Sequence, residues 1–189
     1  MTTGTAATGA ASETSGTNLW IALIAGLTVV GSYGLACVAP LAAVAALAAL
    51  TLRRTEGLLL VLIAWIVNQA VGFVLLSYPH TADTYAWGAA IGVAAVLGYG
   101  AAVAVTPVVT SRLAAVLVAF AAAFAVYQLA LYAFGVATGY AGDSFSLSVV
   151  GEVLGINAVA YAGFLLIHRV AVALALVKPA QPAATTASA

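Results

Sequence analysis

The sequence predicts an all-α fold, a polytopic bundle of transmembrane helices, and three observations predict it. Asp, Glu, Lys and Arg make up only 5% of the 189 residues, against about 25% in a water-soluble domain. Hydrophobic residues make up 65%, and mean hydropathy is +1.18. The few charges stand at the ends of long apolar stretches. Such a chain needs lipid as its solvent, and about 20 apolar residues in a helix cross a hydrocarbon core of about 30 Å. A net charge of zero offers no basic surface to nucleic acid. The single cysteine, Cys37, excludes an internal disulfide.

Residues 1–18 are Thr, Ala, Gly and Ser with Glu13 as the one charge. They predict a disordered tail, too polar to bury anything, and lack the basic start of a secretory signal. Residues 177–189, with Pro179 and Pro182, predict a second tail. The membrane domain is therefore 19–176.

Its first apolar stretch, Leu19 to Leu52, would be about 51 Å long as one helix. Gly31, Ser32, Tyr33 and Gly34 at its middle suit a turn, which divides it into two spans. Pro40 then falls in the first turns of the second span, where its missing N–H matters least. The alternative is one long helix kinked at Pro40, giving five spans in all. Span three is Gly57 to Ser77, followed by a polar loop through Tyr78, Pro79, His80 and Asp83. Span four is Tyr85 to Val105, closed by Thr106-Pro107. Span five is Arg112 to Gly135, and Gly139 to Ser146 form a loop. Span six is Leu147 to Val170.

With six spans, Arg53, Arg54, Arg112, Arg169 and Lys178 share one face. The positive-inside rule makes that face cytoplasmic and places both termini there. Asp83, Asp143 and Glu152 fall toward the other face.

Small residues recur at four-residue spacing: Ala45 and Ala49, Gly88 and Gly92, Gly151 and Gly155. Such spacing lets helices approach closely in lipid. It serves packing within the bundle or docking of a transmembrane partner subunit, for which Ala45, Ala49, Gly88 and Gly92 are the candidates.

Polar side chains inside the spans are the functional signal, because an unpaired amide in hydrocarbon costs several kcal/mol. Asn68 and Gln69 lie in the middle of span three. Tyr127 and Gln128 lie in span five, beside Phe120, Phe124 and Leu131. Asn157, Tyr161, Phe164 and His168 follow one another by four, three and four residues, which is one face of a helix. These faces should point inward. They act as interhelical glue, or they line a small-molecule pocket with an apolar body and a few polar contacts. The expected substrate-binding set is Asn68, Gln69, Tyr78, His80, Trp87, Tyr127, Gln128 and Asn157, opening to the outer face. Cys37 is a candidate soft-metal ligand. Spans without Lys, mid-membrane carboxylates, His pairs or a Ser/His/Asp set give no basis for an enzyme or an ion-coupled pump.

Six spans, an outward polar pocket and the pair Ala45 and Ala49 resemble the substrate-capture subunits of energy-coupling-factor vitamin transporters. The resemblance implies uptake of a vitamin or metal-containing cofactor. It also implies docking on a shared membrane subunit through alanines, here on the second span. Some members work alone on cobalamin, which would give Cys37 a cobalt to hold. The string Asn68-Gln69-x-x-Gly72-Phe73, then Tyr78-Pro79 and Trp87-Gly88, is similar to small bacterial integral membrane proteins and implies a bacterial cytoplasmic membrane. A structural or assembly subunit of a larger membrane complex is the alternative function.

Overall fold

Proline has no N–H to donate, which costs least at a helix start, and the first described helix begins directly after Pro40. The computed structural model describes residues 39–175. They form α1 (Leu41–Thr51), α2 (Arg54–Ala70, prolonged by a π turn over Val71–Leu75), α3 (Ala82–Val105), α4 (Arg112–Thr138) and α5 (Leu147–Ala173). Every span-length helix is long and apolar enough to cross a membrane, four in all among the described residues. Spans three to six of the sequence reading thus correspond to α2–α5.

The ends of these helices follow local chemistry. Glu56 accepts the Arg53 backbone N–H at 3.3 Å, holding the first turn of α2. Thr81 caps α3 by accepting the Thr84 N–H at 3.3 Å. Gly139, at φ 78°, ends α4 in the left-handed conformation that glycine adopts without strain. The Tyr140 N–H then reaches back to the Gly135 carbonyl at 2.8 Å.

The first apolar stretch departs from expectation. A full second span was expected, but its described part is an 11-residue helix. At 1.5 Å per residue α1 is about 16 Å long, half of a 30 Å core. It runs from the middle of the bundle to the Arg53 end. The six-span count is therefore not what the described residues present: they hold four span-length helices and one half-length helix. Residues 19–38 and both tails lie outside the described residues.

α1 is the centre of the fold, with α2, α3, α4 and α5 all packed against it. Leu41, Ala42, Ala43, Val44, Ala45, Ala46, Leu47 and Ala48 are all wholly buried. A helix apolar on every side belongs in a core, and alanine lets neighbours approach from every direction. The outer surfaces of α2–α5 are apolar as well, with Leu97, Leu117, Leu129, Val159 and Leu166 at least half exposed. So large an apolar surface matches lipid rather than water.

The hairpins α2–α3 and α4–α5 place all described arginines at one end. The Tyr99 hydroxyl, late in α3, donates to the Arg54 carbonyl at 2.8 Å. The Tyr161 hydroxyl, late in α5, donates to the Val116 carbonyl early in α4 at 3.0 Å. Arg53, Arg54, Arg112 and Arg169 thus share one face, with Asp83, Asp143 and Glu152 toward the other.

The glycine pair of α3 faces inward. A methyl group at Gly92 would lie 2.6 Å from the Trp65 ring, and one at Gly88 would lie 2.5 Å from the Gln69 side-chain oxygen. Trp65 Nε1 donates to the Gly88 carbonyl at 2.8 Å. Of the two roles open to these small residues, the described residues present packing within the bundle at Ala45, Gly88 and Gly92, where this chain's own side chains fill the space. Ala49 is half-buried against the same core.

Candidate functional site

Asn157 lies on the buried face of α5 together with Tyr161, Phe164 and His168, the stripe that the spacing in the sequence marks. Its side chain does two things. Nδ2 donates to the Val153 carbonyl one turn back at 3.0 Å, and Oδ1 accepts the Ala43 N–H at 3.2 Å. Ala43 is in the first turn of α1, where backbone donors have no partner within the helix. Pro40 precedes that turn and has no side-chain oxygen to offer. Asn157 therefore caps α1 from 114 positions away.

A cavity of about 200 Å³ lies at this same helix start. Its wall is Ala39 and Leu41 at the beginning of α1, Asn68 of α2, Ile91 of α3, Tyr127, Gln128 and Leu131 of α4, Ser144 and Phe145 of the α4–α5 connection, and Val153 of α5. All these helices contribute from the half away from the arginines. Ser144 is exposed, so the cavity reaches the surface on that side. Tyr127 is only 8% exposed. Among the described residues, the side chains of Asn68, Tyr127 and Gln128 make no hydrogen bond to a protein group. Three polar side chains thus converge without protein partners in the part of the bundle where an unmet polar group costs most. The positive end of the α1 dipole points the same way.

Of the eight residues expected in the pocket, Asn68, Tyr127 and Gln128 line the cavity together, and Asn157 holds the helix that forms its floor. The other four lie elsewhere. Gln69 covers Gly88. Tyr78 packs on Gly72, and its backbone N–H bonds the Gly72 carbonyl at 3.1 Å. His80 is exposed, stacked on Phe73 with ring centroids 5.3 Å apart and bonded to the Tyr85 hydroxyl at 2.7 Å. Trp87 meets the Phe134 ring edge-on at 4.9 Å. These four fasten helix ends and hairpins, so the expected pocket is smaller and deeper than the polar residues of the outer half implied. Cys37 lies outside the described residues, and no group of three potential metal ligands occurs among them.

Leu131, on the inward face with Tyr127 and Gln128, is part of the described wall, and Ala39, Leu41, Ile91, Ser144, Phe145 and Val153, which were not anticipated, complete it. The one signal that could have found them is Pro40, which marks a helix start inside a long apolar stretch. No protein-family model, curated protein or solved structure matches the chain.

Proposed function

We propose that this protein is a small-molecule binder embedded in a bacterial cytoplasmic membrane, taking its ligand from the outer face for uptake. The observation that carries the reading is the convergence of Asn68, Tyr127 and Gln128, without hydrogen-bond partners among the described residues, at the start of a half-length helix. Membrane transporters use this arrangement: a discontinuous helix ends near the midplane and offers its terminal backbone groups to the substrate. The positive-inside rule puts the arginine face in the cytoplasm, so the cavity opens outward. Its volume lies below the range of about 300–1,000 Å³ usual for drug-sized ligands. That favours a small compound over one as large as cobalamin.

Native mass spectrometry of the protein drawn directly from its own membrane tests the proposal. A small molecule should accompany the wild type and be lost from Asn68→Leu and Gln128→Leu. A bare wild-type chain that no added compound stabilises would end the reading.

The second reading, an assembly subunit of a larger membrane complex, draws support from α5. Gly151 and Gly155 are exposed, and a methyl group at either would meet nothing within 4 Å. On that reading a membrane partner, rather than a small molecule, would accompany the wild type in the same experiment.

A further inference from the structure

The charges around the cavity restrict what enters it. Among the described residues, no Lys, Arg, His, Asp or Glu is in the wall. Asp143 and Glu152 adjoin the wall residues Ser144 and Val153 in the chain, and both are exposed at the end of the bundle away from the arginines. The described arginines are all at the other end of the bundle. A carboxylate or phosphate would meet two carboxylates at that end of the bundle and find no counter-ion among the described wall residues. A cation would meet the positive end of α1 at the floor, again with no counter-ion. Transferring an unpaired ion into a mainly apolar site costs more than a few neutral hydrogen bonds return.

We infer that the ligand is a small uncharged compound, part apolar and part polar, with a hydrogen-bond acceptor directed at the start of α1. This deepens the binding reading above and rests on it. The Tyr127 hydroxyl and the Asn68 and Gln128 amides supply the directional contacts, each amide both donating and accepting. Ile91, Leu131, Phe145 and Val153 take the apolar part. Tyr127 is the independent sign of a ligand: it is more than nine-tenths buried, lines the cavity, and leaves its hydroxyl without a protein partner among the described residues.

Matched neutral and charged probes test the inference on the purified full-length protein. Benzamide and benzoate, nicotinamide and nicotinate, and indole-3-acetamide and indole-3-acetate differ within each pair chiefly in charge. Binding is read by isothermal calorimetry at neutral pH. The amide of at least one pair should bind, with its carboxylate about tenfold weaker or worse. Tyr127→Phe should weaken that amide about tenfold, the value of one hydrogen bond to a buried group. Its melting temperature without ligand should match the wild type, which separates lost binding from lost folding. A carboxylate that binds more tightly than its amide would overturn the neutral-ligand inference and leave the binding site standing. Amide binding that Tyr127→Phe does not change would also overturn it. Failure of all six probes to bind would overturn both the inference and the reading it rests on.

Discussion

Asn157 shows how one side chain can serve structure next to a site without belonging to its wall. Its oxygen meets a first-turn N–H of α1, and its nitrogen meets its own helix, so both ends of the amide are used. Losing a helix cap costs typically about 1 kcal/mol, within a range of 0.5–2. Interhelical bonds in membranes average about 0.6 and reach about 1.7. Asn157→Ala is therefore expected to lower stability by about 1–2 kcal/mol, measured by denaturant titration in detergent, and to weaken ligand binding through a displaced helix start. Asn68 has no such structural bond. Asn68→Leu should cost binding at least tenfold and change stability by under about 0.5 kcal/mol. Equal losses of both would return Asn68 to a packing role.

At the scale of elements, α1 and the α3–α4 pair are where the fold tolerates least. Each side chain from Leu41 to Ala48 is wholly enclosed, so Ala45→Leu forces several helices apart. Overpacking of this kind costs about 1–3 kcal/mol, and a fall in melting temperature together with loss of the cavity is expected. Gly98 marks a close approach of α3 to α4. A methyl group there would lie 2.8 Å from the Ala123 backbone carbonyl oxygen, and backbone cannot swing aside. Gly98→Ala should destabilise by about 1–3 kcal/mol. Gly100→Ala, two residues on and open to the outside, should be neutral or stabilise by up to about 1 kcal/mol. Thermal melting of the two variants side by side checks this, and equal effects would refute the close approach. The π turn over Val71–Leu75 is a second irregular element. It ends α2 beside Gly72, on which Tyr78 sits to bring the chain back toward α3.

At the scale of the whole molecule, charge and cavity give one polarity. The arginines mark one face, and the cavity opens past Ser144 to the other. Cysteine placed at Tyr140 in a chain whose Cys37 is replaced by serine should react with a membrane-impermeant thiol reagent in intact cells. Cysteine at Thr110, near Arg112, should react only after the membrane is opened. The reverse pattern would invert the orientation and make the cavity face the cytoplasm.

The membrane class, the four long helices and the inward stripe of α5 were legible in the chain. They depend on local composition and on the 3.6-residue period, which neighbouring residues carry by themselves. Asn68, Tyr127 and Gln128 stood out for the same reason, since an amide or phenol amid apolar residues is conspicuous in one dimension. Three-dimensional packing decided the rest. Gln69 and Asn68 are adjacent in the chain, yet one covers Gly88 and the other lines the cavity, because successive residues of a helix point about 100° apart. The alanines of α1 look like one docking face in sequence. All but Ala49 are wholly enclosed, because four helices pack on a helix of 11 residues.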